Sequence, residues 1–213
     1  MADAQPIWNR PARGARGPAP SHSRAEIVAA AIAIADADGL PAVSMRAVAA
    51  KLGTAAGGLY RYLSSRDDLL DLMTDRAVGE LEPYHDTSGD WLDHLVALGR
   101  AQLDLHRRHP WLADVIQRPS AVGPHALSFF DRCLGVLAPL DAPTSAKFEA
   151  IALMTGTVVL FSRSAATGPN PFAGLDPTAH PHLAAALANP SDPGRQDLFD
   201  HALRGLLRGL LTP

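Results

Sequence analysis

The stretch from residue 44 to residue 63, SMRAVAAKLGTAAGGLYRYL, constrains the fold most, because it holds two short helices with almost no connection between them. Ser44 is a typical N-cap, and apolar residues on either side of it occupy hydrophobic-staple positions. Gly53 ends this helix, and Thr54 is predicted to cap the next one. Two short helices joined by a tight glycine turn predict a helix-turn-helix.

The second of these helices carries almost no side chains on its leading turn. Residues 55–58 read AAGG, although each glycine costs roughly 1 kcal/mol relative to alanine inside a helix. A bare turn lets the backbone approach bases or phosphates in a DNA major groove, which is about 12 Å wide. Side chains suited to phosphate surround it: Arg46, Lys51, Tyr60, Tyr62 and Arg66. The alternative is a plain loop between two core helices.

The charges of the chain are unevenly distributed. The whole chain has 19 basic and 22 acidic residues and a net charge of −3. Residues 1–66 hold eight basic and four acidic residues, whereas the remainder holds eleven and eighteen. A basic first third on an acidic body favours contact between that third and a polyanion, with chance imbalance as the alternative.

The remaining pattern is helical to the end of the chain. Residues 1–20 are rich in Pro, Gly, Ala and Arg and are predicted to be a disordered arm, either a solvated tail or an arm that contacts DNA. We predict an all-α fold with a three-helix DNA-binding domain at residues 21–66. A larger helical ligand-binding and dimerisation domain is predicted at residues 67–213.

Composition and motifs restrict the class of protein. Cys133 is the single cysteine, so an intramolecular disulfide is excluded and a reducing interior is favoured. The first twenty residues lack the apolar run of a signal peptide, and we expect a soluble, cytoplasmic protein. Phosphate-loop, G-x-S-x-G and H-E-x-x-H motifs are missing, so an enzyme is not expected.

Residues 23–73 resemble the DNA-binding domain of the tetracycline-repressor (TetR) family, through the capped first helix, LYRYL and SSRDDLL. Later segments, HPWLADVIQRPSAVGPHALSFFD and FDHALRGLLRGL, resemble the regulatory domain of its tetracycline-repressor branch. The resemblance implies a homodimer that binds a near-palindromic operator in double-stranded DNA and is released, or occasionally retained, by a small-molecule effector, with repression as the family's common mode. The positions where the family touches DNA are occupied here by Arg46, Thr54, Ala56, Gly58, Tyr60, Tyr62 and Arg66.

The chain departs from the family pattern at positions that often carry polar side chains for base recognition, which are Ala or Gly here. Sequence discrimination is therefore expected to depend on Arg46, on contacts between alanine and thymine methyl groups, and on DNA shape. A helical ligand-binding or scaffold protein that has lost DNA binding is the alternative function.

The resemblance also implies a dimer interface on the two long C-terminal helices. Two apolar faces are the candidates: Phe148, Ile151, Ala152, Thr155 and Val159 on one helix, and Leu203, Leu206 and Leu210 on the other. Packing of both faces within one subunit is the alternative.

The ligand site is expected between the fourth helix and the helices that follow it. Its candidate residues are Trp91, His94, His106, Trp111, His125, Phe129, Met154 and Phe161, with ordinary core packing as the alternative for each. The histidine pairs at 106/109 and 180/182 lack neighbouring carboxylates or cysteines, so neither a metal site nor a cofactor is expected.

Overall fold

The computed structural model describes residues 7–9, 22–84, 89–116, 118, 122–164, 172–188 and 197–212. Within these residues the regular structure is helical and no strand is present, which confirms the predicted all-α class. The helices are α1 Arg24–Asp38, α2 Met45–Lys51, α3 Ala56–Leu59, α4 Arg66–Val78, α5 Trp91–Arg108, α6 Leu112–Val115, α7 Pro124–Leu137, α8 Thr144–Ser164, α9 Pro181–Leu187 and α10 Leu198–Leu211. Short 3-10 turns lie at Ile7–Asn9, Leu40–Ala42 and Gly79–Leu81.

Serine caps fix where three of the helices begin. The Ser23 hydroxyl accepts a hydrogen bond from the backbone N–H of Glu26, whose carboxylate accepts one from the backbone N–H of Ser23, so a capping box closes. Ser44 and Ser65 each accept the backbone N–H three residues later, at 3.1 and 3.0 Å. These bonds satisfy N–H groups that a helix start otherwise leaves without a partner.

The first core joins α1–α4 around fully buried side chains. Ile27 and Ala31 of α1 are buried in one cluster with Val48 of α2. Leu59 and Leu63 belong to the same cluster and anchor α3 and the residues after it. The α4 stripe, together with Trp111, Leu112 and Val115 around α6, belongs to the same cluster. This core therefore extends beyond residue 66 into the first helices of the predicted second domain.

The second core is formed by α5, α7, α8 and α10. Phe129 and Cys133 of α7 and Met154 of α8 are buried against α5. Gly99 of α5 lets α10 approach closely, because a Cβ there would lie 2.7 Å from a methyl carbon of Leu203. Burial raises the pKa of the Cys133 thiol to about 12, so this side chain is an uncharged part of the core.

Two details of the N-terminal region differ from the sequence expectation. The prediction that Thr54 caps α3 is wrong: Ala55 occupies the cap position and no side chain caps this helix, which is a single turn. Within the predicted arm, Ile7–Asn9 form a 3-10 turn with Ile7 buried, and the Arg24 guanidinium donates to the Ile7 carbonyl at 3.5 Å. The other residues of the 1–20 arm lie outside the described residues.

Candidate functional site: a DNA-binding surface and two cavities

The turn between α2 and α3 requires its glycine. Gly53 has a φ of +65°, in the left-handed region that side-chain-bearing residues rarely adopt. Its N–H donates to the Ala50 carbonyl at 3.2 Å, and the Thr54 N–H donates to the Ala49 carbonyl at 2.9 Å. The chain therefore reverses tightly after α2 and presents α3 beside it.

The face around α3 is exposed and nearly bare. Gly57 is exposed, and a Cβ built on it would meet no atom within 4 Å, whereas Gly58 faces the Thr54 hydroxyl. Leu59, fully buried, anchors α3 from below. Tyr60, with 54% of its surface exposed, follows at the rim. A flat backbone surface bordered by a phenol suits close approach to a duplex.

Basic side chains flank this face on α2. Arg46 and Lys51 are both exposed, one near the start and one at the end of the helix. Ala56 is half-buried beneath the surface, so its methyl group offers little area to a base. Arg46 and Lys51 thus place positive charge on the α2 side of this face.

Arg66 and Tyr62 take structural contacts that the sequence did not indicate. The Arg66 Nε donates to the Val43 carbonyl at 2.9 Å and its Nη2 to the Leu40 carbonyl at 3.2 Å, which holds the segment before α2. The Tyr62 carbonyl accepts from Arg24 at 3.4 Å, and its side chain packs on the first core. These contacts position the helix-turn-helix and reduce what either residue offers to phosphate.

The larger cavity, of about 250 Å³, lies against α5 and is called the α5 cavity. Two predicted ligand residues, His94 and Phe129, line it. Tyr84 adds a phenol, whose ring centroid lies 6.3 Å from that of Phe129. The described residues that line it are Leu81, Tyr84, His94, Ala97, Leu98, Ala101, Phe129 and Arg132.

The smaller cavity, of about 190 Å³, lies against α4 and is called the α4 cavity. Phe129 lines it as well, so one ring borders both cavities. Its polar surface comes from Asp71, Thr74, Asp75, Gln102 and Thr155, and its apolar surface includes Ile116, Val122 and Phe130. The Gln102 amide donates to the Thr155 hydroxyl at 3.3 Å, linking α5 to α8.

Asp75 connects α4 to the start of α7. Its Oδ1 accepts the backbone N–H groups of His125 and Ala126 at 3.0 and 3.1 Å. The His125 ring packs on Gly79, and its Nδ1 lies 3.3 Å from Glu82 Oε1. A carboxylate at a helix N-terminus is favourable, and Asp75 thereby ties α4 to the start of α7, beside the α4 cavity that it lines.

The other predicted ligand residues line neither cavity. Trp111 belongs to the first core, and Met154 is fully buried in the second. His106 is buried, its Nδ1 has no hydrogen-bond partner among the described residues, and burial lowers its pKa to about 4. Trp91 and Phe161 pack on the second core, with Phe161 edge-on to Phe199 at 5.3 Å.

The predicted dimer face is divided by the structure. Ile151 and Leu203 are buried inside the subunit, at 1% and 0% exposure, so their assignment to the outer face is corrected. Thr155 faces the α4 cavity, and Val159, Leu206 and Leu210 are half-buried. Phe148 and Ala152 are exposed, and Leu160, which the prediction omitted, continues their row with 62% exposure.

Sequence reasoning missed several residues of the cavities, namely Asp71, Tyr84, Gln102 and Arg132. The sequence pattern could have indicated Arg132, since it lies three residues after Phe129 on the same helix face. Tyr84 follows Pro83 outside any periodic segment, so no pattern pointed to it. In the described part of the chain, no cluster of three or more His, Cys, Asp or Glu could hold a metal ion.

Most of the chain matches two known protein families. Residues 27–73 match the bacterial regulatory proteins of the tetR family. Residues 82–213 match the tetracyclin repressor-like C-terminal domain. The two matches together include the helix-turn-helix segment and most of both cores.

Individual relatives agree with these matches. The HTH-type transcriptional repressor DrrR1 of Streptomyces coeruleorubidus is 40% identical over 159 residues, which are 74% of this chain and 59% of DrrR1. The crystal structure of apo ActR from Streptomyces coelicolor has a TM-score of 0.75 at 28% identity, covering 92% of this chain and 97% of ActR. ActR in complex with actinorhodin has a TM-score of 0.72 at 26% identity, covering 91% and 98%. The chain belongs to the tetR family of bacterial regulatory proteins.

Proposed function

We propose that this protein is a ligand-responsive transcriptional repressor that binds a near-palindromic DNA operator as a homodimer and is released by a small molecule. Members of the family are transcriptional regulators rather than enzymes, and they bind DNA operators and small ligands as dimers. The observation that carries the proposal is the exposed, bare α3 turn beside Arg46 and Lys51. Such a repressor would act in the cytoplasm, where its operator lies, and the proposal includes no catalytic step.

The DNA contacts are assigned to the surface around α2 and α3. Positive charge on the exposed Arg46 and Lys51 supports phosphate contacts, and no side-chain hydrogen bond caps the start of α3. Tyr60 supports a further phosphate contact through its exposed hydroxyl. Gly57 is the point where the backbone comes nearest to the duplex.

The dimer contacts are assigned to the exposed row on α8. Between Thr144 and Arg163, α8 is the one helix in the described residues apolar and long enough to cross a membrane, and only 22% of that window is buried. An apolar helix with an exposed row along its length supports pairing with a second copy. Phe148, Ala152 and Leu160 supply the contacts of that row.

The cavities and α4 supply the route from ligand to DNA. Relatives support ligand control, because ActR has been solved with actinorhodin and with (S)-DNPA. In this chain α4 begins directly after the DNA-binding unit at Ser65, and its Asp71, Thr74 and Asp75 line the α4 cavity. A ligand that favours one position of α4 changes the separation of the two α3 turns, which half-sites one helical turn apart hold at about 34–36 Å.

The experiment is a DNA-binding titration with fluorescently labelled duplexes that tile the region upstream of the protein's own gene. One duplex is expected to bind with an affinity that falls steeply as salt rises. The variant Lys51→Gln is expected to weaken binding and to reduce the salt slope by about one phosphate contact. Lys147→Gln removes the same charge from α8, outside the α2 and α3 surface, and serves as the matched control.

The alternative function is that of a ligand-binding protein that has lost DNA binding. It predicts that none of the tiled duplexes binds better than a scrambled one. Equal effects of the Lys51 and Lys147 variants would also contradict the proposed surface, since general charge alone would then explain binding.

A further inference from the structure

The α4 cavity combines an apolar opening with a buried amide. Ile116, Val122 and Phe130 line the cavity and are exposed, so they border its opening to the surface. Gln102 lines it as well, yet this residue is only 7% exposed. A ligand that enters between the apolar side chains therefore reaches a polar group that is shielded from solvent.

The Gln102 amide uses only part of its hydrogen-bonding capacity. A side-chain amide has two N–H donors and an oxygen that accepts two hydrogen bonds. Within the described residues its contacts lead to one group, the Thr155 hydroxyl: Nε2 donates to it at 3.3 Å, and Oε1 lies 3.5 Å from the same oxygen. A buried donor or acceptor without a partner costs free energy, so a ligand that supplies both kinds of partner is favoured.

Acceptors and engaged hydroxyl groups make up the rest of the described polar lining. Asp71 and Asp75 carry carboxylates, which accept hydrogen bonds when they are ionised. The Thr74 hydroxyl donates to a backbone carbonyl of α4 at 2.9 Å, and the Thr155 hydroxyl is the partner of Gln102. Gln102 is therefore the side chain with an N–H that a ligand carbonyl can accept.

An amide group is the simplest complement of the Gln102 side chain, because each supplies an N–H donor beside a carbonyl acceptor. A primary amide or a lactam on a ligand can make two parallel hydrogen bonds to Gln102. Turning the Gln102 amide over exchanges its oxygen and nitrogen, and a ligand amide can turn over to match, so the pairing holds for either assignment. A ketone of the same shape offers the acceptor alone.

We infer that the α4 cavity binds an uncharged aromatic effector that carries a primary amide or a lactam, with this group paired to Gln102 and the ring packed against Phe129 and Phe130. Both phenylalanines line the cavity, and aromatic rings favour contact with one another. The inference rests on the proposed function, in which a small molecule controls DNA binding. It adds the chemical class of that molecule and the side chain that selects it.

The test is an NMR titration of the full-length protein with benzamide and acetophenone, which differ only by an amino group in place of a methyl group. Acetophenone is the more apolar probe, so burial alone favours it. Benzamide is nevertheless expected to bind about five-fold more tightly, because it alone donates a hydrogen bond to the Gln102 oxygen. In Gln102→Met, whose side chain has a similar length and no amide, this preference is expected to disappear.

Tyr84→Phe is the control for location, because it removes a hydroxyl group from the lining of the α5 cavity and none from that of the α4 cavity. Its preference for benzamide is expected to equal that of the unmodified protein. A preference that persisted in Gln102→Met, or that disappeared in Tyr84→Phe, would overturn the inference.

The unmodified protein alone also decides, whether or not the methionine variant folds. If it bound acetophenone as tightly as benzamide, or bound neither probe, the inference would be overturned without any variant. These titrations contain no DNA. An operator that binds while both probes fail would leave the proposed function intact, and the two failures are therefore distinguishable.

Discussion

The indole Nε1 of Trp111 donates a 2.7 Å hydrogen bond to Oδ1 of Asp36, which joins the segment after α5 to the last turn of α1. His109 Nδ1 lies 2.7 Å from the same oxygen, and its Nε2 lies 3.2 Å from Glu80 Oε1. Trp111 and His109 are both buried. The end of α1 is thus attached to the segment between α5 and α6 by two side chains.

Removal of the Asp36 carboxylate is expected to loosen this attachment. Asp36→Ala leaves the buried Trp111 indole N–H without its acceptor, at a cost of about 1–3 kcal/mol in free energy of unfolding. Urea unfolding followed by circular dichroism measures the loss. Asp38→Ala is the control, since Asp38 is exposed at the end of the same helix. A carboxylate near a helix C-terminus interacts unfavourably with the helix dipole, so its removal is not expected to destabilise the fold. A control variant as unstable as Asp36→Ala would refute the role of this contact.

Gly57→Ala is expected to stabilise the fold while weakening DNA binding. The backbone of Gly57 has ordinary dihedral angles and open space around it, so alanine gains about 0.5–1 kcal/mol of helix stability. The added methyl group lies on the bare face and keeps the backbone from the duplex. Urea unfolding and an operator titration give the two readouts.

Gly135→Ala separates the two effects of that substitution. Gly135 is exposed on α7 and has no atom within 4 Å of its Cβ position, so the same gain in stability is expected there with unchanged DNA affinity. If Gly57→Ala bound the operator as well as the unmodified protein, the glycines would serve some purpose other than close approach.

Local signals predicted the helix starts well because a cap depends on neighbouring residues alone. Ser23, Ser44 and Ser65 each place a short hydroxyl side chain directly before a helical run, and each caps its helix. Thr54 looks equally suitable in sequence, but the tight turn at Gly53 moves the start of α3 to Ala55. That displacement arises from the path of the chain between two helices.

Faces of apolar helices were harder to assign, since such a helix has more than one apolar stripe. On α7, Leu127 and Phe130 are exposed whereas Phe129 and Cys133 are buried. The same ambiguity placed Ile151 on the outer face of α8. Which stripe is buried depends on the neighbouring helices, and periodicity within one helix does not contain that information.

His106 is expected to make stability depend on pH. Burial lowers its pKa to about 4 in the folded protein, whereas an exposed histidine titrates near 6.5. Between these pH values the unfolded chain therefore binds more protons than the folded protein does. The contribution of His106 to the free energy of unfolding is fully present above pH 6.5 and falls as the pH is lowered toward 4. Acidification from pH 7.5 to pH 5 is expected to remove on the order of 1–2 kcal/mol of unfolding free energy through this residue.

His106→Leu is the variant that isolates this contribution. Leucine cannot bind a proton, so the variant is expected to lose less stability than the unmodified protein between the two pH values. His201→Gln removes an exposed histidine on α10 and is expected to leave the pH dependence unchanged. Parallel urea-unfolding curves at both pH values decide; an identical pH slope in the leucine variant would show that other groups cause it.

Phe148→Glu is expected to separate the dimer and, with it, to abolish tight operator binding. Phe148 is 48% exposed at one end of a row that includes Ala152 and Leu160, and a carboxylate there would be buried opposite an apolar partner face. Sedimentation equilibrium measures the mass, and the control Leu127→Glu places the same charge on an exposed α7 position. Since operator affinity depends on two linked α3 turns, a monomeric variant that bound the whole operator normally would contradict the dimer arrangement, as would a Phe148→Glu protein that remained dimeric.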